Sequence, residues 1–158
     1  MVFLSALSLA TLVLRAQPGS AEADLSPAAI QKAVLETNAK MIQAANNLNA
    51  DAFFDYILPG EQCVLIQNGR AFKTRQEALE AVKTGFRGVD KMNRQFEDPR
   101  VTMLATDTAL LTSEGTVSAR LTDGREINAR FAVSLVFVRR DGKWKVLHGH
   151  YSMPLRNQ

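Results

Sequence analysis

Two histidines, a tryptophan and a serine crowd the C-terminal stretch Trp144-Lys145-Val146-Leu147-His148-Gly149-His150-Tyr151-Ser152, and the chain has no other histidine. Side chains alternate faces along a strand. An unbroken strand would therefore place Trp144, Val146, His148, His150 and Ser152 on one face and Lys143, Lys145, Leu147, Gly149 and Tyr151 on the other. The two imidazoles would then lie about 7 Å apart. An imidazole exchanges a proton near neutral pH without tuning, so His148 and His150 are the candidate catalytic bases. With a carboxylate they could also hold a metal ion. No third ligand stands at a recognisable spacing, and neither a metal nor another cofactor is expected. The alternative for either histidine is a hydrogen-bonded core residue tying the last strand to a helix. Trp144 could floor a pocket for an apolar ligand or belong to the core.

Four more residues have suitable chemistry. Glu114 stands among Leu110, Leu111 and Val117, where burial would raise a carboxyl pKa into the range of a general base; the other reading puts it on an outer face beside Gly115. Tyr56 could donate a hydrogen bond to an oxyanion or keep its hydroxyl in water. Arg130 could hold a carboxylate bidentately or close a salt bridge at a rim. Asp55 is a substitute acid. The expected ligand-binding set is Tyr56, Glu114, Arg130, Trp144, His148 and His150.

The elements that must position these residues are legible. Ser26-Pro27 opens a helix with an N-cap serine and proline at the first position. Ile30, Val34, Thr37, Met41, Ala45 and Leu48 recur at helical spacing over about six turns. A short helix over 50–57 carries Phe53, Phe54 and Ile57 inward and stops at Pro59-Gly60. Asn68-Gly69 joins two short strands, 63–67 and 70–73. Thr74 and Glu77 form a capping box for a third helix with the stripe Ala78, Leu79, Val82, Phe86 and Val89. Strands follow over 91–97, 100–105, 109–121, 125–140 and 143–152, punctuated by Asp98-Pro99, Thr106-Asp107, Asp123-Gly124 and Asp141-Gly142. Helices followed by a meander imply an α+β fold, three helices on one face of a curved, mostly antiparallel sheet. Residues 125–140 are apolar at nearly every position from Phe131 to Val138, which predicts cover on both faces. The second cover is expected to be another copy of the chain, so a homo-oligomer, most simply a dimer.

With 158 residues, 46% apolar and 22% charged, the composition suits one soluble domain. The net charge of +3 is dispersed, with no basic cluster beyond Arg139-Arg140, so no nucleic-acid partner is expected. The single Cys63 allows no intramolecular disulfide and reads as a buried small side chain. Residues 1–23 form an apolar run followed by a small-residue cleavage pattern, Ala21-Glu22-Ala23, which reads as a signal peptide. They lack a basic residue before the run. The expectation is export, periplasmic or secreted, with one domain over 24–158 and no stable membrane insertion once the leader is cleaved; without cleavage the leader would be an anchor, and without export the chain would be cytoplasmic. No phosphate-binding glycine loop or nucleophile elbow is present.

Three stretches in order carry a resemblance over residues 26–154: Asn49-Ala50-Asp51-Ala52-Phe53…Tyr56; Asn68-Gly69-Arg70…Arg75-Gln76-Glu77-Ala78-Leu79; and Arg139-Arg140-Asp141-Gly142-Lys143-Trp144…His148-Gly149-His150-Tyr151-Ser152. The chain resembles the nuclear transport factor 2-like superfamily, in particular its SnoaL-like branch and the association domain of calcium/calmodulin-dependent kinase II. The resemblance implies a cone-shaped fold, and a histidine at the position of His150 as a recurrent feature. It implies no single activity, since isomerases, cyclases, dehydratases, immunity proteins and scaffolds share the fold. Ketosteroid isomerases carry their acid on the small hairpin, and Val64-Leu65-Ile66-Gln67-Asn68-Gly69-Arg70 holds none. The kinase domain's cavity arginines correspond here to Gly115 and Leu135. The leading expectation is a protein that binds a small, partly apolar molecule and self-associates through its sheet. The alternatives are an isomerase, dehydratase or cyclase with a pocket histidine as base, and an assembly domain without chemistry.

Overall fold

A computed structural model describes residues 26–60, 64–67 and 69–154. The expected leader (1–23), Cys63 and Asn68 lie outside the described residues. Helix α1 spans Pro27–Asn46, and Ser26 Oγ accepts from the Ala29 N–H at 3.3 Å. Its buried stripe is Ile30, Val34, Asn38, Met41, Ala44 and Ala45. The sequence pattern puts Thr37 in this stripe. Asn38 takes that place, and the Thr37 hydroxyl donates back to the Ala33 carbonyl at 2.8 Å. Helix α2, Ala50–Phe54, is capped by Asn49 Oδ1, which accepts from the Ala52 N–H at 2.9 Å. Helix α3, Arg75–Arg87, starts at Thr74, whose hydroxyl accepts from the Glu77 N–H at 3.1 Å, while the Glu77 carboxylate reaches back to the Lys73 N–H.

The strands are β1 (Val64–Gln67), β2 (Arg70–Phe72), β3 (Val89–Ala105), β4 (Thr108–Leu121), β5 (Glu126–Arg140) and β6 (Lys143–Ser152). They form one sheet in the order β2-β1-β6-β5-β4-β3, antiparallel except where β1 lies parallel to β6. The expected break at Asp98-Pro99 is instead a bulge within one long strand. The register shifts between Glu97 and Arg100, and Asp98 takes a left-handed φ of 46°. Proline lacks an N–H, and the edge position of β3 lets it sit there without removing a ladder bond. At Asp141-Gly142 both residues have positive φ, 51° and 73°, the two-residue hairpin expected from the sequence.

All three helices lie on one face of the sheet. Between them and the sheet, Ile30, Val34, Met41, Phe54, Leu111, Leu135, Phe137 and Val146 are fully buried. On β5 the inward residues Phe131, Val133, Leu135 and Phe137 are buried, whereas Arg130 and Ala132 on the outward face are exposed and Ser134 and Val136 are half-buried.

A second bulge, in β6, decides what the last strand presents. Phe137 pairs with Val146, but Val136 pairs with His148, leaving Leu147 as an extra residue. The bulge falls where β6 changes neighbours. Before it, the Val146 N–H donates to the Tyr56 carbonyl and the Val146 carbonyl accepts from the Leu58 N–H, both at 2.8 Å. After it, His148 to Tyr151 pair with β1. One extra residue inverts the facing of all that follow. The face-sharing expected for Trp144, Val146, His148, His150 and Ser152 therefore ends at Val146. Trp144 and Val146 face the helices with Gly149 and Tyr151, and His148, His150 and Ser152 face away.

Gly115 on β4 leaves room for an aromatic contact inside the sheet. A Cβ there would lie 2.3 Å from the Gln95 carbonyl oxygen and 2.5 Å from the Phe131 ring, which packs edge-on against Phe96 with centroids 5.4 Å apart. Gly115→Ala should cost about 1–3 kcal/mol by overpacking. Gly85→Ala in α3, where an added Cβ meets nothing within 4 Å, should gain about 0.5–1 kcal/mol from helix propensity. Urea unfolding of both variants checks the pair; equal stabilities would contradict this packing.

Candidate ligand-binding cavity

The helices and the inner sheet face do not close completely on one another. They leave a cavity of about 500 Å³, walled by α1 (Met41, Ala45), the α2 region (Phe53, Ile57), α3 (Val82, Phe86) and the inner residues of β1, β3, β5 and β6. Its described lining is mostly apolar. The polar exceptions are Gln67, Arg70, Arg94 and Tyr151. No Asp, Glu, His, Cys, Ser, Thr or Lys belongs to the described lining.

Arg94 is placed by two constraints. It points inward on β3 between the inward Met92 and Phe96, and its backbone is clamped to the end of α1. The Asn46 side chain accepts from the Arg94 N–H at 2.7 Å and donates to its carbonyl at 3.1 Å. The guanidinium carbon then sits 5.8 Å from the Phe131 ring centroid and 5.5 Å from that of Tyr151, within reach of both π-faces. Arg94 Nε is buried without a hydrogen-bond partner, and no carboxylate pairs with the side chain among the described residues.

Tyr151 reaches the same wall because the β6 bulge turns it inward. Its ring packs against Phe131, centroids 6.1 Å apart, and its hydroxyl is buried without a hydrogen-bond partner of good geometry. Burial pushes the phenol pKa above its ordinary 10, and the nearby Arg94 pulls the other way through its charge and through side-chain hydrogen bonding. Near neutral pH Tyr151 is therefore a neutral O–H donor. Arg70 is the second cation of the lining, exposed and stacked 4.7 Å from the Phe72 centroid.

The residues anticipated from the sequence lie elsewhere. His150 and Ser152 line an open groove on the outer sheet face with Glu97, Arg100, Glu114 and Ser134, and His148 shares that face through its pairing with Val136. Arg130 is on the outer face too. It donates to Glu114 at 2.8 Å and Glu97 at 3.1 Å, which raises its pKa. Trp144 is core at 6% exposure, its indole N–H unpartnered, and is not part of the cavity lining. Tyr56 is half-buried against the core and meets β6 through its backbone. The structure thus brings Glu114, Arg130 and His150 to one face and separates them from Trp144 and Tyr56. Arg94 was readable in principle from the alternation Met92-Arg94-Phe96, an arginine in an inward row. Tyr151 required knowledge of the bulge.

The SnoaL-like domain family matches residues 34–156, and the chain belongs to that family. No curated protein matches it. Among solved structures, a nuclear transport factor 2-like superfamily protein from Salmonella enterica is similar at a TM-score of 0.76 and 13% identity, over 84% of this chain and 96% of that one. A proposed dehydratase of the same superfamily from Streptomyces avermitilis gives 0.70 and 17%, over 78% and 95%. A proposed calcium/calmodulin-dependent kinase II association domain from Xanthomonas campestris gives 0.69 and 18%, over 78% and 86%. At these identities the likeness establishes the fold, and the α+β cone expected from the sequence is the fold observed.

The buried phenol makes a testable statement. In Tyr56→Phe, Tyr151 is the one tyrosine left, and its ultraviolet titration should have a midpoint above 10. Because the unfolded chain releases this proton first, the stability due to the buried phenol is complete below the ordinary phenol pKa and is lost as pH rises through the folded value. Adding Tyr151→Phe should remove that component of the alkaline loss of stability. A midpoint at or below 10 would contradict the buried placement.

Proposed function

We propose that this protein is a binding module that holds one small, partly apolar molecule between its helices and the inner face of its sheet. The observation that carries this reading is the character of the cavity: about 500 Å³, within the range of small-molecule sites, mostly apolar, with a few polar groups gathered around Arg94 and Tyr151. Its described lining holds no carboxylate, imidazole or amine, so it has no group suited to move a proton near neutral pH. That supports binding over an isomerase or dehydratase mechanism in this cavity, and His148 and His150, the expected bases, stand on the opposite face of the sheet.

Self-association through the outer sheet face is a second part of the proposal. The outward row Ala132, Ser134 and Val136 on β5 is small and uncharged within a face whose groove is otherwise lined mainly by charged and polar residues, a strip with a polar rim as in a face meeting another copy. Sedimentation of the wild type and Ala132→Glu checks it: the expected result is a dimer that the added charge dissociates, and a monomeric wild type would overturn it.

Binding is tested with N-phenyl-1-naphthylamine, an uncharged fluorophore that brightens in apolar sites. The wild type should bind it. Val82→Trp, which fills the cavity from α3, should lower the affinity by about tenfold or more, as loss of a buried apolar contact area of this size implies. His148→Ala/His150→Ala should bind as the wild type does. Undiminished binding by Val82→Trp would contradict the assignment of the cavity.

A further inference from the structure

The described lining of the cavity carries charge of one sign only. Five arginines of the sheet and its turns meet carboxylates: Arg100 meets Asp98, Arg120 meets Asp90, Arg125 meets Asp123, Arg130 meets Glu97 and Glu114, and Arg140 meets Asp107, while Arg75 on α3 donates to the Phe54 carbonyl. Arg94 and Arg70, the two arginines of the cavity, have no such partner among the described residues, and the described lining holds no acid to supply one. Arg94 is the more demanding case. Its Nε is sealed from water without an acceptor, and its guanidinium carbon lies 5.8 and 5.5 Å from the centroids of Phe131 and Tyr151. Its backbone is locked to Asn46 by two hydrogen bonds.

A half-buried guanidinium whose Nε has no acceptor and which no described carboxylate neutralises gains from the arrival of an anion. The planar fork of an arginine matches a carboxylate through two parallel N–H···O bonds. One such fork suits a monoanion, and the remaining wall is apolar. We propose that the ligand is an organic carboxylate with an apolar body, its carboxylate held by Arg94 and its body lying against Met41, Phe53, Val82 and Phe86. This inference rests on the cavity being the binding site. Arg70, exposed and stacked on Phe72, adds a second positive charge that favours an anion over a neutral molecule of the same shape.

The test compares naphthalene-2-carboxylate with naphthalene-2-carboxamide, which have the same shape, as competitors of N-phenyl-1-naphthylamine. The wild type should bind the carboxylate about tenfold or more tightly, as expected for a charge-assisted bidentate pair. Arg94→Gln should bring the ratio of the two affinities close to one. Arg125→Gln, which alters an exposed arginine paired with Asp123 on the β4–β5 turn, should keep it. A wild type that binds both compounds equally, or a preference that survives in Arg94→Gln, overturns the inference while leaving the cavity reading intact. Fluorophore binding that Val82→Trp does not weaken overturns the cavity reading and this inference with it. Should Arg94→Gln not fold, the wild type decides alone: its preference for the carboxylate must vanish as pH falls through the ligand's own carboxyl pKa, and a ratio that stays constant there overturns the inference.

Discussion

One extra residue in the last strand governs which side of this sheet can do what. With Leu147 unpaired between Val146 and His148, β6 can bond the Tyr56–Leu58 segment along its first half and β1 along its second. A regular strand would keep the alternation constant, turning His148 and His150 toward the helices and Tyr151 out to solvent. The bulge does the reverse. It makes the cavity a place of apolar walls, one buried phenol and one clamped guanidinium, and leaves the imidazoles in an open, charged groove. Gly149 follows the bulge on the inward side, where even a Cβ would press on Leu65 and Leu135 at about 3 Å.

The charges divide along the same plane. The outer face and the turns carry arginine–carboxylate pairs that are exposed on both partners; such pairs contribute about 0–1 kcal/mol each and are screened by salt. The triad of Arg130 with Glu97 and Glu114 belongs to this group, a solvated crosslink between β3, β4 and β5. The inner face is built on different physics. Arg94 is surrounded by rings and apolar side chains, and its position comes from a backbone clamp at the end of α1 and not from a counter-charge. Under the proposed binding role, an unmatched charge in such surroundings would constrain the ligand.

Much of the architecture was legible because it rests on local signals. The serine and threonine caps, the apolar stripes of α1 and α3, the hairpin at Asp141-Gly142 and the bounds of β6 follow from residue type and spacing. The order of elements, with the motif through Trp144, was enough to recognise the family. What was not legible depends on pairing. Asp98-Pro99 looks like a strand end and is an edge bulge, because an edge has no ladder bond for proline to break there. The bulge at Leu147 carries no glycine or proline and arises from a change of neighbours that are distant in sequence. The expected face-sharing along β6 missed that one residue: the strand is where the sequence puts it, and His148, His150 and Ser152 face away from the helices. Arg94 lay in a readable inward row, but its lack of a carboxylate partner is a property of the folded chain alone.

The central claim is that ligands enter on the helix side of the sheet and meet Arg94, with the histidines uninvolved. A crystal structure of the protein with naphthalene-2-carboxylate tests it most directly. Density between α3 and the inner sheet face, its carboxylate against the Arg94 guanidinium, is the predicted result. Density in the outer groove beside His150 and Glu114, with the inner cavity unchanged, would contradict the account.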